Sequence, residues 1–155
     1  MSTADLLDLH GDLAQVCELA FGRYGRRAEF EGTIGTVRCF EDNVLLKRRV
    51  SEPGQGRVLV VDGGGSRRVA LLGDMIAGIA VDHGWAGLVI HGCVRDSAAL
   101  AGLDLGIAAH GTNPRPSGKD GAGEVDVPVT FGGVTFEPGG RIACDADGIV
   151  VVPPD

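Results

Sequence analysis

The chain has 155 residues, enough for one domain with a sizeable core, and it carries a formal net charge of −7. Hydrophobic residues make up 44% and charged residues 23%, a globular composition rather than a disordered one. The acidic balance argues against general affinity for RNA or anionic membranes, and 5% aromatic residues leave few platforms for stacking single-stranded bases.

Asp5, Asp8, Asp12 and Glu18 interrupt what would be the apolar part of a secretory signal. Cys17, Cys39, Cys93 and Cys144 are widely spaced with no Cys-x-x-Cys pair, so reduced thiols and a cytoplasmic location are expected. No apolar run is long enough to span a bilayer. Lys47-Arg48-Arg49 and Arg67-Arg68 read as ordinary solvated faces.

In chain order, Thr3 is placed to cap a helix over Ala4 to Leu9, and Gln15 to Phe21 reads as a further helical turn. EFEGTIGTVRCF (29–40) alternates as a strand with Phe30, Ile34 and Val37 inward. Asp42 or Asn43 then caps a helix to about Val50, ended by EPGQG. RVLVVD (57–62) is a buried strand that runs into three glycines, and Arg68 to Leu72 is apolar again. Gly73 to His83 reads as a helix with Met75, Ile76, Ile79 and Ala80 on its apolar side, closed by Gly84. The strand GLVIH, an Arg-Asp loop, a helical stretch near Ala98 to Leu100 and the strand LGIAAHG follow. Strand and helix alternate here, which predicts parallel pairing through crossovers. After the loop GTNPRPSGKDG the chain is β-rich to its end, so the class is α/β with mixed sheets in more than one layer. No repeat or linker divides residues 1–155 into separate domains.

Several motifs fail on inspection. VLVVDGGGSRR lacks the third glycine of a dinucleotide fingerprint, which would fall at Arg68, and has no Gly-Lys-Ser/Thr. A methyl-donor site would want glycine where Ser66 stands. His10, His83, His91 and His110 have no partner at helical zinc spacing, and no serine or cysteine sits in a nucleophile elbow. His91, at a strand end, reads as a structural histidine.

Arg95 and Asp96 follow GLVIH closely, so they belong at the carboxyl edge of the sheet, where α/β ligands gather. The helix start at Gly73, Asp74, Met75 and Ile76 belongs to the same edge, with free amides that suit a small carboxylate and a glycine that allows close approach. Arg95 can grip a carboxylate bidentately and keeps its proton. Asp96 is a hard oxygen ligand for Mg²⁺ or Mn²⁺, and a 2-oxo acid completes such a shell by chelation. The competing explanation is an Arg-Asp surface turn.

The blocks TVRCFEDN (36–43), GRVLVVDGGGS (56–66), GDMIAGIA (73–80), GLVIHGCVRD (87–96), GTNPR (111–115) and GAGEVDVPVTFGGVTFEPGG (121–140) together resemble the RraA-like family, which joins the regulator of ribonuclease activity A to the class II 4-hydroxy-4-methyl-2-oxoglutarate aldolases. The resemblance spans nearly the whole chain. It implies a three-layer β/β/α swivelling-domain fold, a homotrimer with sites at subunit interfaces, and cleavage of 4-hydroxy-4-methyl-2-oxoglutarate to pyruvate with oxaloacetate decarboxylation. Gly73, Asp74, Met75 and Ile76 would line the pyruvyl group, Arg95 would bind substrate oxygens, and Asp96 would hold the divalent metal. The alternative it offers is a regulator that binds and inhibits ribonuclease E. The family's aldolase signature carries an acid three residues after the aspartate, and here that position is Ala99. Asp104 is too far along to replace it. The chain ends at Asp155, so a catalytic group from a C-terminal extension is not expected, and Glu124 from a neighbouring subunit is a candidate substitute.

Overall fold

In the computed structural model, which describes residues 1–155, the chain runs α1 (Thr3–His10), a 3-10 turn (Gly11–Leu13), β1 (Gln15–Val16), β2 (Gly22–Arg23), β3 (Phe30–Arg38) and α2 (Val44–Val50). It continues through β4 (Val58–Asp62), β5 (Ala70–Leu72), α3 (Asp74–Asp82), β6 (Gly87–Val94), α4 (Ser97–Leu100) and β7 (Gly106–Thr112). The last third is β8 (Glu124–Val125), β9 (Val129–Phe131), β10 (Val134–Phe136), β11 (Arg141–Asp145) and β12 (Gly148–Val152).

β3, β4, β6 and β7 lie side by side in parallel, as the alternation of strand and helix predicts. Their runs are apolar on both sides because both faces are covered. Leu59, Val61, Leu88, Ile90, Ile107 and Ala109 face α2 and α3, where they meet Leu46, Val50, Ala77 and Ala80. The intervening Val58, Val60, Val89 and Ala108 face the other way, against Phe131, Val134, Phe136, Ile142, Ile149 and Val151. Period-two alternation thus feeds two cores from one sheet and stacks the molecule as helices, parallel sheet and a second β layer. Each fully buried leucine or isoleucine in these cores contributes roughly 1.5–3 kcal/mol.

β3 links the layers: Phe30 to Thr33 pair antiparallel with β11, and Ile34 to Arg38 pair in parallel with β4. The inward positions expected from the sequence, Phe30, Ile34 and Val37, are buried. The three glycines after β4 make a tight turn: Gly64 and Gly65 lie at φ 68° and 73°, and the Asp62 carboxylate accepts the Gly64 N–H at 2.9 Å.

Two expectations fail at the N-terminus. Ser2, not Thr3, caps α1, in a reciprocal box with Asp5. Thr3 is buried, and its amide and hydroxyl both donate to the Asp145 carboxylate, at 2.9 and 2.8 Å. Gln15 to Phe21 is not helical. Gln15 and Val16 pair antiparallel with β12, and the amides of Cys17 and Glu18 donate to Ile149 and Gly132. The open edge of β12 takes up Gln15 to Cys17 and the turn between β9 and β10 takes up Glu18, so tertiary pairing overrides local propensity. The strand written as GLVIH also runs on to Val94.

His91 and His110 meet on the face of the sheet away from α2 and α3, against the rings of Phe131 and Phe21. His110 Nδ1 lies 3.1 Å from the Ala20 carbonyl, which can only accept, so this nitrogen carries hydrogen. His110 Nε2 is then the acceptor for His91 Nδ1–H, 2.7 Å away. Burial lowers the pKa of both rings, reinforced by His110 at His91 and by Arg67 at His110, while Asp62 and the Ala20 carbonyl act in the opposite sense. The folded state therefore binds protons less readily here than the unfolded chain. This stabilisation is complete above about pH 6.5 and is lost as pH falls toward the depressed folded values. Thermal melts should show Tm falling from about pH 7 to 5.5, with a clearly shallower slope in the His91→Gln, His110→Gln double variant. An unchanged slope in that variant would assign the effect to other groups.

Candidate functional site

β5 and β6 run in parallel with Leu72 opposite Val94. That register makes their next residues neighbours, and the Arg95 N–H donates to the Leu72 carbonyl at 2.8 Å. Asp96 then turns into the left-handed region, φ 59° and ψ 39°, which swings its carboxylate back over the start of α3. Its Oδ2 accepts the Asp74 N–H at 3.0 Å. The Asp74 amide, with the Arg95 charge, holds the Asp96 carboxyl below the usual range against partial desolvation.

Gly73 has a different reason from the one expected. A Cβ there would lie 2.6 Å from Asp96 Oδ2 and 3.3 Å from Arg95 Cγ, so the close neighbour is the protein's own acid. The first helix amide is likewise taken by Asp96, which leaves the N–H groups of Met75 and Ile76 without an acceptor in the chain. Ile76 is buried, whereas Met75 is 70% exposed at the start of α3 rather than part of the apolar core.

All six residues expected at the site, Gly73, Asp74, Met75, Ile76, Arg95 and Asp96, line one cleft of about 710 Å³. The Arg-Asp pair is not an isolated surface turn. The cleft's far walls come from α2 and from the segment 111–121, which lies beside β5: Ala70 N–H donates to Arg115 O, and Ser117 Oγ donates to Ala70 O at 2.8 Å. Arg95 Nη1 donates to the Pro114 carbonyl at 3.3 Å.

These walls bring in residues that the sequence reading missed. Lys47, Arg48 and Lys119 face the cleft with Asn43 and Ser117. Lys119 Nζ donates to Asn43 Oδ1, and Asn43 Nδ2 donates to the Leu71 carbonyl at 3.0 Å. The basic run 47–49 is therefore not one solvated face. Arg49 is buried over the Trp85 ring at 5.5 Å and pairs with Glu52 and Asp126, while Lys47 and Arg48 stay exposed on the cleft side. A signal existed, since Val44, Lys47, Arg48 and Ser51 fall at i, i+3, i+4 and i+7 on one helix face.

Other candidates lie elsewhere. Ala99 is exposed on α4, Asp104 is bonded to Arg27 at 2.9 Å, and Glu124 pairs with Arg38 at 3.7 Å outside the cleft. His91 belongs to the histidine pair on the opposite face.

The donor set suits a small hard cation. Neither Asp74 nor Asp96 has a basic group within 4 Å, and one oxygen of Asp96 is free of the Asp74 amide. No group of three or more His, Cys, Asp or Glu forms a closed cage. One or two carboxylates with water and substrate oxygens is the arrangement that magnesium favours.

A crystal structure of a Geobacillus kaustophilus protein described as S-adenosylmethionine:2-dimethylmenaquinone methyltransferase matches the chain at 53% identity and TM-score 0.97, covering 100% of this chain and 96% of that one. The RNA-processing inhibitor RraA from Thermus thermophilis matches at 44% identity and TM-score 0.96, covering 99% and 93%. Streptomyces coelicolor RraAS2, an unusual member of the RNase ES inhibitor RraA protein family, matches at 30% and 0.79, covering 99% and 80%. The family model Aldolase/RraA matches residues 3–151, and the chain belongs to the RraA-like family.

Proposed function

We propose that the chain is a divalent-metal-dependent lyase for short 2-oxo dicarboxylates, acting as an oxaloacetate decarboxylase and a 4-hydroxy-4-methyl-2-oxoglutarate aldolase. The convergence of Arg95, Asp96 and the 73–76 turn in one cleft carries this reading. Asp96, with Asp74 beside it, would hold Mg²⁺ or Mn²⁺. When bound, the metal supplies Lewis-acid withdrawal of electrons from the 2-oxo group. The open amides of Met75 and Ile76 receive a substrate carboxylate, and Arg95 offsets the negative charge that grows on the 2-oxo oxygen as the carbon–carbon bond breaks. Lys47, Arg48 and Lys119 give the cleft a positive wall in a chain of net charge −7, which suits a second carboxylate.

The two reactions make different demands. Oxaloacetate loses CO₂ and takes up a proton at C3, with no hydroxyl to deprotonate. Cleavage of 4-hydroxy-4-methyl-2-oxoglutarate must also remove the proton from the C4 hydroxyl as the C3–C4 bond breaks. With Ala99 in the position where the family carries an acid, a base for that proton has to come from elsewhere, so decarboxylation is the faster reaction. A homotrimer, the assembly that the family resemblance implies, would bring a neighbouring subunit's carboxylates to the same cleft.

A second reading is regulation of an RNA-processing ribonuclease such as ribonuclease E, favoured by the 44% identity to the Thermus thermophilis inhibitor. The net charge of −7 suits a protein partner with basic segments better than RNA itself. Purified ribonuclease E should be retained by the immobilised chain at micromolar concentration and moderate salt under this reading, and absence of retention counts against it.

The lyase reading makes two kinetic predictions. Pyruvate formation from oxaloacetate should stop with EDTA, return with Mg²⁺, and lose its metal-dependent part in Asp96→Ala; equal metal-dependent rates in wild type and variant overturn the assignment. Arg48→Ala should raise KM for oxaloacetate by about tenfold, the scale of one charge-assisted contact, with a smaller effect on kcat. An unchanged KM would remove Arg48 from the binding wall.

A further inference from the structure

We infer that Asp42 is a positioning residue for the cleft, acting as a brace that holds Lys119 in its binding wall; the inference rests on the lyase reading for its kinetic part only. Asp42 is 5% exposed and has no basic partner within 4 Å. Its carboxylate is instead satisfied by backbone. Oδ1 accepts the Val44 N–H at 3.1 Å, at the start of α2, and Oδ2 accepts the Asp120 and Gly121 N–H groups at 2.6 and 3.0 Å. One buried carboxylate therefore ties together two segments nearly eighty residues apart in sequence, the two that supply the cationic walls.

The brace surrounds Lys119. On its N-terminal side, Gly118 is held by Glu41 O at 2.8 Å and accepts the Asn43 N–H at 3.4 Å. On its C-terminal side, Asp120 and Gly121 are held by Asp42 alone among the side chains. Lys119 itself is exposed, and its side-chain bond is to Asn43. It sits in a glycine-rich segment, SGKDGAG (117–123), with little intrinsic preference for one conformation. Without the brace the ammonium group must be ordered again each time a ligand binds, and that cost falls on binding rather than on the bond-breaking step.

Asp42→Asn is the informative substitution. It keeps size and one carbonyl acceptor but presents an NH₂ group to an environment of N–H donors, so one set of amides is released. Amide hydrogen exchange should accelerate in Asp42→Asn at Val44 or at residues 120–121, whichever set the single carbonyl leaves, with β4 and β6 unchanged. Steady-state kinetics with oxaloacetate and Mg²⁺ should show KM raised about tenfold in both Asp42→Asn and Lys119→Met, with kcat of Asp42→Asn within about twofold of wild type. The double variant should be no worse than Lys119→Met, because Asp42 acts through Lys119. Multiplied effects in the double variant, or unaltered exchange at both Val44 and 120–121, would overturn the brace. A wild-type chain with no metal-dependent turnover would instead reject the lyase reading, and the exchange comparison would still decide whether Asp42 fixes the loop.

Discussion

The parallel pairing of Leu72 with Val94 is the constraint on which the cleft depends. It is a backbone relation between two buried strands, and it decides which residues emerge together at the edge of the sheet. The Arg95 amide closes on Leu72, Asp96 enters the left-handed region, and its carboxylate lands on the first amide of α3. A one-residue slip of β5 would turn its side chains to the other face and part Gly73 from Asp96. The site is thus held by hydrophobic packing of Leu71, Leu72 and Val94 in the helix-side core, even though Arg95 and Asp96 are exposed. Groups fixed in this way are already aligned before a ligand arrives, which lowers the ordering cost of binding.

The two faces of the central sheet carry different chemistry. On the helix face, strand ends and helix starts meet at an open cleft whose cations outnumber its acids. On the other face, β6 and β7 carry His91 and His110 into an aromatic stack with Phe21 and Phe131, where burial favours uncharged rings. The short-range field in the cleft is the reverse of the chain's net charge of −7. Local placement decides this, because exposed charges more than about 10 Å away are screened at ordinary ionic strength.

Much of this was legible in the sequence. RVLVVD and GLVIH are short apolar runs of strand length bounded by turn residues, and their parallel pairing followed from the helices between them. That Gly73, Asp74, Met75, Ile76, Arg95 and Asp96 share one cleft was legible because each lies within a few residues of a strand end or helix start, where local pattern determines place. The misreadings involve partners distant in sequence. Thr3 looks like a cap until Asp145 is beside it, and Gln15 to Phe21 looks helical until β12 offers an unpaired edge. Arg49 looks solvated until Trp85 and Asp126 enclose it. Lys119 lies in a glycine- and proline-rich segment, whose path is set by Asp42 and Ala70 rather than by its own composition.

The same contrast separates what the fold holds constant from what it leaves free. Gly73, Arg95 and Asp96 are bound to strand register, and a side chain at Gly73 would collide with Asp96, so these positions are constrained wherever this sheet forms. Residue 99 is different. It is exposed on a single helical turn whose packing contribution comes from Leu100, and exchanging alanine for an acid there disturbs no core contact. TM-scores of 0.97 and 0.96 to relatives described in unlike terms report the shared sheet and cleft, because a fold fixes the scaffold and not the chemistry carried on it.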